Sequence, residues 1–168
     1  MNNHWQWYSQ QIRAILILPF TVTVIIPVIL WFAERGPGEK WKSWPLLIAI
    51  PPGIAGVTLL VWTIGLFMRI GRGTLAPWNP PRKLVTTGPY AYTRNPMLSG
   101  VFMILLAEAI GGQSVAIACW FGIFVMSNVI YFMLSEEPGL RRRFGSEYEE
   151  YYRNVPRFLP RLTPWRPR

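Results

Sequence analysis

Four apolar runs alternate with short polar or basic segments along the chain. The first, Ala14 to Ala33, has about the 20 residues that a helical membrane span needs. Pro19 and Pro27 interrupt it, which membrane helices tolerate where neighbours re-satisfy the backbone. A signal peptide is the rival reading, but the run is too long and no small-x-small cleavage site precedes Glu34. The second run extends from Pro45 to Met68, and Pro51-Pro52-Gly53 is expected to break or kink it early. The third, Met97 to Ile110, is short and carries Glu108. Gly111-Gly112 is expected to turn the chain, so the third run and the fourth, Val115 to Leu134, read as a helical hairpin.

The tail after Leu134 has its own helical pattern. Pro138 suits a first helical turn, with Glu136 and Glu137 at its positive end. Gly145 can end that helix, and Ser146-Glu147-Tyr148-Glu149 is a capping-box pattern that starts another. Leu140, Phe144, Tyr148 and Tyr151 or Tyr152 can share one apolar face, so the tail is expected to form a helix–turn–helix on the membrane surface. The fold expected is an all-α integral membrane protein. It has one domain over 1–168 and four spans at 14–33, 45–68, 97–110 and 115–134.

Charge orients the spans. The segment 34–44 holds Arg35, Lys40 and Lys42 against Glu34 and Glu39. The segment 69–96 holds Arg69, Arg72, Arg82, Lys83 and Arg94 with no acid, and the tail holds eight arginines. The positive-inside rule therefore places the 69–96 connector, the tail and both termini in the cytoplasm. Trp5, Trp7 and Tyr8 suit one interfacial belt, and Trp41 and Trp44 the other.

Composition narrows the chemistry. Of 168 residues, 51% are hydrophobic and 15% charged, against roughly 25% charged in a soluble domain. The net charge of +9 follows membrane topology and anionic lipid better than nucleic acid. All eight acids are glutamates, and His4 and Cys119 are the sole residues of their types. No intrachain disulfide, Cys/His zinc site or Ser-His-Asp triad can be built from these residues. No metal site is expected, and Cys119 reads as a small buried apolar residue.

Two segments carry most of the polar detail: 82–100 and 136–160. The antiparallel third and fourth spans bring Asn95 and Glu136 to one end of the hairpin. A pocket at the cytoplasmic interface, open to a soluble cofactor and to lipid, follows. Each feature also has a plain structural role. Asn95 can cap a helix that Pro96 begins, and Gly88-Pro89 makes a turn. Glu136 and Glu137 complement a helix dipole, and at roughly 100° apart they cannot both face one ligand. Glu108 is either functional within its span or turned to water at the hairpin tip.

The stretch Gly88-Pro89-Tyr90-Ala91-Tyr92-Thr93-Arg94-Asn95-Pro96-x-x-x-Gly100 resembles the R-H/N-P-x-Y-x-G motif of the isoprenylcysteine carboxyl methyltransferase and phospholipid methyltransferase superfamily. Glu136-Glu137 matches its following pair of glutamates. Leu140, Phe144-Gly145, Tyr148, Tyr151, Val155-Pro156-Arg157-Phe158 and Pro160 match its C-terminal signature. The resemblance covers residues 82–160, about half the chain. It implies a membrane-embedded S-adenosylmethionine-dependent methyltransferase. Cofactor contacts are implied for Arg82, Lys83, Leu84, Val85, Tyr90, Asn95, Pro96, Met97, Leu98 and Glu136, with Glu137 close by. Arg94 and Glu137 are candidates for positioning. The expected acceptor is lipid-like or prenylated, with a carboxylate or amine as the methylated group, and the expected partner is membrane lipid.

Three positions depart from the pattern. Asn95 stands where eukaryotic carboxyl methyltransferases have His, although Asn is usual in many prokaryote-type members, so the resemblance implies the plasma membrane of a prokaryote. Leu98 replaces the motif tyrosine. Phe132 occupies a position where carboxyl methyltransferases carry a substrate-binding arginine. The resemblance therefore carries further for the cofactor than for the substrate. Two alternatives stand beside it: an NADPH-dependent membrane reductase of sterol-reductase type, and a non-catalytic membrane scaffold. S-adenosylmethionine, NADPH or neither would bind, respectively.

Overall fold

The computed structural model describes residues 16–36, 42–71 and 83–167. Trp5, Trp7, Tyr8, Trp41, Arg72 and Arg82 lie outside the described residues. Among the described residues every regular element is a helix, with no strand. A π-helical stretch, Leu16–Ile25, runs into α1 (Ile26–Glu34). Next come α2 (Trp44–Leu66) and a π turn, Phe67–Gly71. A 3-10 turn, Gly88–Ala91, precedes α3 (Pro96–Gly112). Then α4 (Val115–Tyr131) passes through a π turn, Phe132–Glu136, into α5 (Glu137–Asn154).

Two helical runs are long and apolar enough to cross a membrane: Trp44–Ile70, and the one that begins at Val115 and continues to Asn154. Only 17% and 11% of their most apolar windows are buried within the protein. Such apolar yet uncovered helices need a nonaqueous surrounding. Pro19–Glu34 and Pro96–Gly112 are shorter apolar helices. Among the described residues the regular structure is thus all helix, with two helices long and apolar enough to cross a membrane.

Helices α2 and α3 form the closest pair, and glycine is the reason. A Cβ at Gly56 would lie 2.7 Å from the Gly100 carbonyl oxygen, and one at Gly100 would lie 2.9 Å from that of Gly56. Gly53 meets Ala107 and Gly111 meets Ala49 along the same seam. Small residues let backbones approach where burial in lipid supplies no hydrophobic drive. Thr63, fully buried on α2, turns its hydroxyl back to the carbonyls of Leu59 and Leu60, so its polar group is satisfied within its own helix.

Three expectations are corrected. Pro51 and Pro52 do not break α2, which continues through both; its apolar face packs along α3 on either side of them. The hairpin turns at Gln113, with φ 49°, rather than at Gly111-Gly112. The two glycines stay helical because Gly111 packs against α2 and the Gly112 carbonyl accepts from Trp31 Nε1 and Arg35 Nη2. Finally, Glu136 and Glu137 do not sit at a free helix N-terminus, because the helical run from α4 continues through them. Gly145 does divide the tail: its φ of 53° kinks α5 there.

The hairpin tip is clamped by α1. Glu34 accepts from Ser114 Oγ and from the backbone N–H groups of Val115 and Ala116. A carboxylate on orphan amides at a helix start is the favourable arrangement. These bonds, Ser114 first, hold the Glu34 carboxyl below its ordinary value.

Candidate functional site

At the opposite end, the 83–95 segment and the tail are laced together through main-chain bonds. Arg94 N donates to Pro156 O and Asn95 N to Arg157 O. Arg161 N donates to Tyr92 O and Trp165 N to Ala91 O. Tyr151, almost wholly buried, donates its hydroxyl to Tyr90 O at 2.7 Å. Gly88 makes the turn that begins this segment. It has φ +61°, and a Cβ there would lie 2.8 Å from Leu66 Cδ1. The side chains of Tyr148, Tyr151 and Val155 form a small core, with Leu84, Leu140 and Phe144 packed against it.

Beneath this core lies a cavity of about 240 Å³. The connector contributes Lys83, Leu84, Val85 and Tyr90 to its walls. The start of α3 and the two residues before it contribute Arg94, Asn95, Met97 and Leu98. Phe67 comes from the π turn after α2, and Asn128 and Tyr131 from the last turns of α4. Phe132 and Glu136 come from the π turn, and Leu140, Phe144, Tyr148 and Tyr151 from the tail.

The π turn sets part of this geometry. An α-helix drifts roughly 40° for every four residues, and a wider turn offsets that drift. Asn128, Phe132 and Glu136, each four residues apart, thereby all reach the same cavity. Burial raises the Glu136 carboxyl above its ordinary value, opposed by the nearby Arg143 charge. Burial also pushes the Tyr90 phenol well above its usual range.

Glu137 points elsewhere. Its Oε1 accepts from Arg94 Nη1 at 2.8 Å and from Arg157 Nε at 2.8 Å, and its Oε2 accepts from Arg157 Nη2 at 2.9 Å. The Arg94 and Glu137 side chains are each 7% exposed. Arg94 also lies over the Tyr152 ring, 4.1 Å from its centroid. The bond to Glu137 raises the Arg157 guanidinium above its ordinary value. Glu137 is thus a tie between connector and tail, while Glu136 is a cavity group.

Two buried donors at this site have no hydrogen-bond partner: Arg94 Nε and Asn95 Nδ2. Asn95 flanks α3 but makes no side-chain cap, contrary to its expected role. Its carbonyl instead accepts from Ser99 N and Ser99 Oγ. Buried donors left unmade are costly, so a pair at a cavity marks a place where an acceptor-rich ligand would be held.

Of the residues singled out in the sequence, Lys83, Leu84, Val85, Tyr90, Arg94, Asn95, Met97, Leu98 and Glu136 come together on the cavity wall. Pro96 is buried at the first turn of α3 and Glu137 is in the ion-pair cluster. Arg82 lies outside the described residues. Sequence reading missed Asn128, Tyr131 and Phe67. Asn128 carried a signal, an amide inside an apolar run. It also missed Arg157 as a second partner of Glu137. Glu108 is roughly 18 Å along α3 from Pro96, and its Oε2 is buried with no hydrogen-bond partner.

Residues 47–147, more than half of the chain, match the phospholipid methyltransferase family. The chain belongs to that family. Two curated relatives are similar over most of this family member. One is the nickel-cobalt-cadmium resistance protein NccN of Alcaligenes xylosoxydans xylosoxydans, 27% identical over 146 residues. The match covers 85% of this chain and 64% of that protein. The other is the cobalt-zinc-cadmium resistance protein CzcN of Cupriavidus metallidurans, 29% identical over 148 residues, covering 86% and 62%. This family member therefore spans less than two thirds of the length of either relative. No solved structure matches it.

Proposed function

We propose that this protein transfers a methyl group from S-adenosylmethionine to a lipid-like or prenylated acceptor at the membrane interface. The observation that carries the reading is the single cavity that gathers Glu136, Tyr90 and the unpartnered donors of Arg94 and Asn95 under the tail aromatics. These groups suit the cofactor's chemistry. Arg94 and Asn95 offer donors for a carboxylate, Glu136 an acceptor for an ammonium or ribose hydroxyl, and Tyr90 a ring face for the adenine or the sulfonium. When bound, S-adenosylmethionine supplies an electrophilic methyl on a cationic sulfur.

The chain's own work is positioning and exclusion of water. Phe67, Asn128 and Tyr131 line the side of the cavity nearest the apolar helices, where a lipophilic acceptor would approach. Phe132 gives that side no cation for an acceptor carboxylate. In this reading all four apolar helices span the membrane, and the cavity, the tail and both termini face the cytoplasm of a prokaryotic cell. The basic connector and tail lie at the same end of the helices, which supports that orientation.

The test is calorimetric titration of the detergent-purified protein with S-adenosylhomocysteine, with NADPH in parallel and Glu136→Gln as comparison. Micromolar binding of S-adenosylhomocysteine that weakens in Glu136→Gln is expected. Binding of NADPH alone would replace the reading with a reductase. Silence from both ligands in a folded sample would replace it with a scaffold.

A further inference from the structure

The chain after α5 does more than close the cavity. Phe158 reaches back to the apolar helices: its ring lies 5.7 Å from that of Phe102 and 6.4 Å from that of Phe132. Phe102 is six residues, roughly 9 Å, into α3 from Pro96. The strand-like bonds at Arg94 and Asn95 lead the chain down to Phe158, and those at Tyr92 and Ala91 bring it back by Trp165. The segment between is therefore a loop whose Phe158 rests against the apolar helices.

The loop presents two bare leucines, Leu159 at 82% and Leu162 at 100% exposure. Isolated exposed leucines are ordinary. Leu159 follows Phe158, whose ring packs on Phe132 of the π turn, and Met133 and Leu134 next to Phe132 are themselves uncovered apolar side chains. The charge beside them is of one sign: after Glu150 the chain has five arginines and no acid. Arg166 is exposed, and Arg161 holds its guanidinium against the Asn154 carbonyl near the loop.

We propose that the 158–165 loop is a membrane-interface anchor. Leu159 and Leu162 enter the acyl region of an anionic leaflet, and the flanking arginines take its phosphates. Apolar side chains below and cations above the headgroup level are the arrangement that interfacial segments use. Trp165, stacked on Tyr151 with centroids 5.4 Å apart, sits where amphipathic rings favour the interface. The proposal does not depend on methyl transfer and fails or stands separately from it.

The test uses the full chain in phosphatidylcholine–phosphatidylglycerol vesicles. Single cysteines at Leu159 and Leu162, in a Cys119→Ser background, are labelled with an environment-sensitive fluorophore. Native Cys119, which is exposed on α4 rather than buried as its apolar run suggested, serves as the lipid-facing reference. Both loop sites bear little packing, so the variants retain the fold. Blue-shifted emission and quenching by brominated acyl chains, comparable to Cys119, are expected at both positions. The quenching is expected to fall in vesicles lacking phosphatidylglycerol. Water-like emission quenched by aqueous iodide would overturn the anchor. Blue-shifted emission without lipid quenching would overturn it too, assigning the leucines to a second copy of the chain.

Discussion

Replacing Glu137 with glutamine leaves two guanidinium groups without their shared carboxylate. Arg94 is the worse placed, because its side chain is 7% exposed and its Nε already has no partner. Removing one partner of a buried ion pair costs about 3–5 kcal/mol. Glutamine keeps one acceptor oxygen, and Arg157, at 24% exposure, regains some water. The lower end, about 3 kcal/mol, is therefore expected. For a chain of this size that is a loss of roughly 6–12 °C in melting temperature. Thermal melting in detergent, followed by tryptophan fluorescence at one fixed scan rate, reads the change. A double-mutant cycle with Arg157→Gln then isolates the coupling between those two side chains. A Glu137→Gln protein that melts within about 2 °C of wild type, with no coupling to Arg157, would refute the argument that this cluster ties connector to tail.

Other perturbations follow from the same geometry. Gly56→Ala sets a Cβ against the Gly100 carbonyl at 2.7 Å and is expected to cost about 1–3 kcal/mol, read by melting. Tyr151→Phe removes the 2.7 Å bond to Tyr90 O, with an expected loss of about 1–3 kcal/mol and faster proteolysis of the tail in limited digestion. The Glu34 carboxyl is held below its ordinary 4.5, first by Ser114. Its folded value is depressed, so its contribution is present above 4.5 and lost as pH falls through the lower folded value. Glu34→Gln should flatten that acid limb of the melting curve. Glu136 is raised above 4.5, chiefly by burial. If the carboxylate receives the cofactor's donors, S-adenosylhomocysteine affinity rises with pH through that raised value, and Glu136→Gln removes the dependence.

Much of the architecture was legible because four apolar runs stand out, and each contains a helix, two of them long and apolar enough to cross a membrane. Gly145 was legible because it needs a positive φ, and the 82–160 motif because it combines several spaced residues. Other features depend on tertiary contacts that no local pattern encodes. Pro51 and Pro52 looked like breakers, yet packing along α3 carries the helix through them. Gly111-Gly112 looked like a turn, yet the α2 seam and the Trp31 and Arg35 donors keep both glycines helical. The split between Glu136 and Glu137 was visible as an angle on a helix. Which of them faces the cavity was not, because Arg157 and the π turn decide it. Asn128 and Tyr131 reach the site through helix phase and hairpin pairing, information that appears only once α4 is placed.

The most direct test of methyl transfer is incubation of membrane vesicles containing the protein with methyl-labelled S-adenosylmethionine, followed by counting of the organic-extractable fraction. Label in that fraction is expected above vesicles without the protein, and is expected to drop with Glu136→Gln and Asn95→Ala. Absence of extractable label from folded protein, across lipid extracts and prenylcysteine acceptors, would contradict a lipid-directed methyltransferase.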